Sequence, residues 1–125
     1  MRALETTRAA YGLCQMSFPA PFFRLAIGHQ PDARVRVVMR ILGARHLLQA
    51  LIIRAAPTSG ALHVGGGVVD SLHSASMVAL AIADRRRRRA AALDAVIAGL
   101  FAGMEFAAAS RRKKPIPPRE PRWRR

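Results

Sequence analysis

Asp70 and His73 stand three residues apart, and His63 lies about two turns before Asp70. At helical spacing these groups fall near one side, where a carboxylate and imidazoles can share one proton or one cation. That chemistry would suit a proton- or ion-coupled carrier. A metal centre needs further ligands at compatible spacing, and none follows, so no metal is expected. The stronger expectation is structural: Asp70 neutralises Arg40 or Arg45 on a neighbouring helix, because an unpaired charge in apolar surroundings is costly. His73 and Asp94 complete the set of helix-pairing candidates.

Other chemistry is poorly supported. Gly65-Gly66-Gly67 lacks both the lysine of a phosphate loop and the spacing of a dinucleotide fingerprint, so close helix packing or a kink is its expected role. Ser71, Ser74 and Ser76 lie near histidines without the strand-turn-helix context of an activated nucleophile. Cys14 is the single cysteine, which excludes an intrachain disulfide and a cysteine metal cage. No enzymatic activity and no cofactor are expected.

The elements that would position these residues are helices. The 125-residue chain is 51% hydrophobic but only 6% aromatic, and it is rich in alanine. Four stretches follow from the breakers, at about 3–18, 33–56, 61–84 and 89–110, and they form one domain over 1–110. Pro19 and Pro21 close the first; Pro31 precedes the second, with Asp32 as its N-cap; Pro57-Thr58-Ser59-Gly60 makes the next turn. From 111 to 125 four prolines and many charges predict a disordered basic tail containing Trp123. Glu5, Arg8 and Gln15 interrupt the first stretch and make it a poor signal peptide, so the N-terminus is expected to be retained.

Periodicity then bears on the solvent. A helix of about 20 residues crosses a hydrocarbon layer of about 30 Å. In the second stretch Arg45 falls among Val38, Leu48 and Ile52, opposite Arg36, Arg40 and Arg54, so no clean aqueous face exists. In the third, His63, Gly67, Asp70, Ser74 and Ala81 share one narrow side, while Val64, Val68, Leu72, Val78 and Ile82 cover the rest. This is the proportion of a lipid-exposed helix with an inward polar seam. The fourth repeats small residues at Ala95, Gly99, Gly103 and Ala107, a strip suited to close helix packing, and Gly99 and Gly103 could join two copies into a homo-oligomer.

Charge agrees with a membrane surface. Twenty-one basic residues against seven acidic ones give a formal net charge of +14, which favours acidic partners such as phospholipid head groups or nucleic acid. Arg85, Arg86, Arg87, Arg88 and Arg89 read as a topology signal in contact with anionic head groups. A soluble basic helical protein that binds nucleic acid non-specifically is the alternative, disfavoured because no helix-turn-helix, zinc finger or stacking platform is visible. An outside N-terminus places Arg24, Arg34, Arg36 and Arg85 to Arg89 in the cytoplasm. A crossing fourth helix leaves eight basic tail residues opposite.

The runs RVRVVMRILGARHLLQALI from Arg34 and VVDSLHSASMVALAIADRRRRRAAALDAVIAGLFAG from Val68 carry Arg40, Leu42, Gly43, Arg45, Leu47 and Ala50, then Val69, Asp70, His73, Ser76 and Met77. In this arrangement, over about two thirds of the chain, the sequence resembles small, uncharacterised actinobacterial membrane proteins of about four helices. The resemblance implies a membrane location and no activity. The expectation is thus all-α: a membrane bundle of three or four helices, multi-pass in the cell membrane, with a structural, regulatory or accessory role.

Overall fold

The computed structural model describes residues 2–112, which form five α-helices and no strand. They are α1 (Arg2–Ser17), α2 (Pro19–Ile27), α3 (Ala33–Ala55), α4 (Gly60–Ala83) and α5 (Arg88–Arg112). The tail residues beyond 112, including Trp123, lie outside the described residues. Arg111, expected in that tail, belongs instead to the last turn of α5.

Helix boundaries follow local chemistry. Asp32 caps α3, its Oδ1 accepting from the Val35 N–H at 2.8 Å, and Ser59 Oγ accepts from the Leu62 N–H at 3.3 Å to open α4. Asp84 ends α4 and organises the next turn, accepting from the backbone of Arg86 and Arg87. The unexpected element is α2. Pro19 and Pro21 follow the end of α1 at Ser17, as expected, and they also open a new helix, because a proline loses nothing in a first turn, where its missing N–H would have had no intrahelical partner. Gly28, at φ 91°, closes α2 in the left-handed conformation that glycine tolerates, its N–H donating to the Arg24 carbonyl.

Two helix pairs build the bundle: α1 packs along α3, and α4 along α5. In the first pair Gly12 and Gly43 set the separation. A Cβ added at Gly12 would stand 2.6 Å from the Gly43 carbonyl oxygen, so backbone meets backbone there. In the second pair Ser74 Oγ donates to the Ala95 carbonyl at 2.7 Å. The buried side of α5 carries Ala91, Ala95, Ala98, Ala102 and Ala109. Gly99 and Gly103 are exposed, and a Cβ at Gly103 would meet nothing within 4 Å. Of the expected strip only Ala95 is buried, Gly99 borders the seam with Ser74 Oγ 3.5 Å from where its Cβ would stand, and Gly103 and Ala107 face outward.

Two helices, Gly60–Ala83 and Arg88–Arg111, are long and apolar enough to cross a membrane by length and composition. The expectation of three or four such helices is narrowed to these two. Arginines at 34, 36, 40, 45 and 54 remove α3 from the set, although several of its large apolar residues point outward.

Candidate functional site

Side chains rather than backbone join the two helix pairs, and the joint is ionic. Arg8 of α1 is fully buried, with Nη1 2.7 Å from Asp70 Oδ2 on α4 and Nη2 3.0 Å from Glu105 Oε1 on α5. Its guanidinium also lies over the Phe101 ring, 4.5 Å from the centroid, so one face meets π-electrons and one edge meets two carboxylates. Arg45 of α3 donates through Nη2 to Asp70 Oδ1 at 2.6 Å, and Gln49 Nε2 lies 3.4 Å from Oδ2. Asp70 thus receives groups from two helices of the opposite pair.

The Arg8 contacts are ion pairs by distance, but its N–H groups do not align on the oxygens as in-line hydrogen bonds, and Nε has no acceptor. Distance is the better guide to their energy, because Coulomb attraction varies with separation whereas hydrogen bonding also needs alignment. Burial makes the pairing obligatory: each charge has left water, and only its partner compensates.

A histidine extends the network. His63 Nδ1–H donates to Glu105 Oε2 at 2.5 Å, an arrangement that puts the ring proton on Nδ1, while Nε2 is buried without a hydrogen-bond partner. His46 of α3 packs between aromatic rings, 5.3 Å from Tyr11 and 5.5 Å from Phe101 between centroids. Gln15 Nε2 donates to the Tyr11 hydroxyl at 3.0 Å. Glu5, one turn before Arg8, is buried, and its Oε2 has no hydrogen-bond partner.

The structure distributes the sequence candidates unequally. Arg45 meets Asp70, and His73 Nε2 meets Asp94 Oδ2 at 2.8 Å across α4 and α5. Arg40 is exposed and makes no ion pair among the described residues: it projects outward, whereas Arg45, five residues on, turns toward α4. The suggested trio separates, since His63 serves Glu105, Asp70 serves the arginines, and His73 serves Asp94. Among the described residues no three metal-ligating side chains converge. Arg85 to Arg89 are all exposed at the α4–α5 turn.

Arg8 and Glu105 were the participants that sequence reasoning did not select. A signal existed for Arg8: Glu5, Arg8, Gly12, Gln15 and Pro19 recur at three- and four-residue intervals, and all five are buried. Comparison of the chain with protein-family models, curated proteins and solved structures returned no match.

Proposed function

We propose that the chain is an integral membrane protein, a helical bundle with a polar interior and an apolar exterior, acting as a structural, regulatory or accessory component of the membrane. One observation carries the reading. Of the six largest fully buried side chains, Arg8, Ile53, His46, His63, Glu105 and Asp70, five are polar or charged. Meanwhile Leu72 is 65% exposed, Ile82 73% and Leu25 90%.

In water this distribution would be costly twice over, through desolvated charges and through hydrated alkyl groups. In hydrocarbon both costs change sign or shrink, because alkyl groups meet alkyl chains and ionic groups are better inside the protein than against lipid. The apolar window of α4 is only 17% buried within the protein, whereas a core helix of a soluble protein would be mostly covered. The polar seam of α4 faces inward through His63, Gly67 and Asp70, and Val68 faces out. In this arrangement α4 and α5 cross the membrane, and α1 and α3 pack against their inner side with Arg8 and Arg45 turned to the carboxylates.

Carbonate washing of a membrane fraction tests the reading. The chain is expected to stay with the lipid and to need detergent for extraction. Release into the wash would overturn it, and nuclease-dependent retention would favour a soluble, basic, nucleic-acid-binding protein instead.

A second reading, a proton- or ion-coupled carrier, draws on one observation, the unpartnered Nε2 of buried His63 beside Glu105 and Arg8. Proteoliposomes of the parent and of His63→Gln test it. Flux that is absent in the parent, or equal in both, ends that reading.

A further inference from the structure

Five consecutive arginines at the α4–α5 turn have little acidic company. Asp84 is 3.8 Å from Arg87, and no other ion pair reaches the run among the described residues. Arg88 differs from its neighbours because it is positioned: its Nε–H donates at 3.0 Å to the Ala81 carbonyl in the last turn of α4. That bond holds the guanidinium at the edge of a groove of about 420 Å³ between α4 and α5. Val78, Ile82, Ala92 and Val96 make the groove otherwise alkyl, and its size lies within the range of small-ligand pockets.

A second groove, of about 490 Å³, repeats the combination at α2, with Arg24 beside Pro21 and the outward Leu25. The two grooves share one end of the bundle. The short α2 contacts both α3 and α5 there, and the Asp32 carboxyl at the start of α3 is held below its ordinary range by the Val35 N–H first and by Arg87 to a smaller extent. Since α2 leads into α3 there, α2 and the arginine run belong to the same layer, the short α2 with the exposed Phe18 and Leu25 of an interfacial segment.

We infer that the α4–α5 groove is a binding site for an anionic phospholipid, with the phosphate on Arg88 and one acyl chain along Val78, Ile82, Ala92 and Val96. The inference rests on the membrane reading and adds a ligand to it. Charge complementarity selects the head group: a net negative lipid gains from the whole run, whereas a zwitterionic one brings its own cation to the arginines. The alkyl lining selects a lipid over a nucleic acid, whose backbone has nothing to place there.

Native mass spectrometry of the full chain in detergent, titrated with phosphatidylglycerol or phosphatidylcholine, reads the site directly. Phosphatidylglycerol is retained preferentially, and Arg88→Gln lowers its retention about fivefold, from the attraction of one arginine near an anionic surface. Arg85→Gln removes the same charge without touching the groove and has a smaller effect. Ala92→Phe fills the groove and lowers retention with every charge in place. Equal retention of the two lipids, equal effects of Arg85→Gln and Arg88→Gln, or an unaffected Ala92→Phe would overturn the site. Displacement by inorganic phosphate alone would also overturn it, because the acyl chain would then contribute nothing. Carbonate washing of the same variants reports separately on the membrane reading.

Discussion

Replacing Asp70 by Asn removes one negative charge that two guanidiniums share. Arg45 is partly exposed and can turn toward solvent or head groups, but Arg8 is fully buried and keeps only Glu105. Removing one partner of a buried ion pair costs about 3–5 kcal/mol, and Asn retains a carbonyl acceptor, which places the expected loss near 3 kcal/mol. That is roughly a hundredfold in the folded-to-unfolded ratio. Denaturing-detergent titration of helix content in mixed micelles measures it. Exchanging charges, with Arg45→Asp and Asp70→Arg, restores little, because Arg8 would then face a new arginine across the joint. A neutral polar contact inside a membrane averages about 0.6 kcal/mol, so a loss for Asp70→Asn no larger than this would refute the obligatory pairing.

The remaining predictions separate packing from pairing. Gly43→Ala places a Cβ 2.5 Å from the Gly12 carbonyl oxygen and 2.8 Å from the Met16 nitrogen, so it should destabilise by about 1–3 kcal/mol in the same titration. Gly103→Ala meets open space and should be neutral or stabilising by up to about 1 kcal/mol through helix propensity; a clear loss would return the outward strip to the packing. Ser59→Ala should cost about 1 kcal/mol and speed amide exchange at Leu62, whose N–H the serine accepts. The Val35 N–H bond holds the Asp32 carboxyl low, so its cap is intact above the ordinary carboxylate range and is lost as pH falls through the depressed value. Protection of the Val35 amide, taken relative to its intrinsic exchange rate at each pH, should therefore fall on acidification in the parent and show no such titration in Asp32→Asn.

Helix positions were largely legible in the sequence because the caps and turns that set them are local. Asp32 is read correctly from its own neighbours, and the ends expected for α3, α4 and α5 fall within two residues of those observed. The inward seam of α4 was legible for a related reason, since polar groups on an otherwise alkyl helix have one economical direction. Pairing was less legible. Choosing Arg45 over Arg40 depends on the rotation of α3 about its axis, and that rotation is set by Gly12 and Gly43, residues far apart in the chain. The α5 strip failed because alanine surrounds that helix: when small residues occupy every side, their spacing cannot say which side is covered. Arg8 was passed over because a polar first stretch argues against burial until its charges are given partners on α4 and α5.

The division of charge between the helix pairs bears on biogenesis. The α1–α3 half carries Arg8 and Arg45 into the joint, and the α4–α5 half carries Asp70 and Glu105. Under the membrane reading proposed above, each half alone would expose ionic groups that lipid cannot accommodate, so each would be a client for the other during insertion, and a nascent chain arrested after Ala55 would be a marked substrate for membrane proteases. Cutting the chain within 56–59 and expressing both fragments together should regenerate the bundle, with each half protecting its counterpart from degradation.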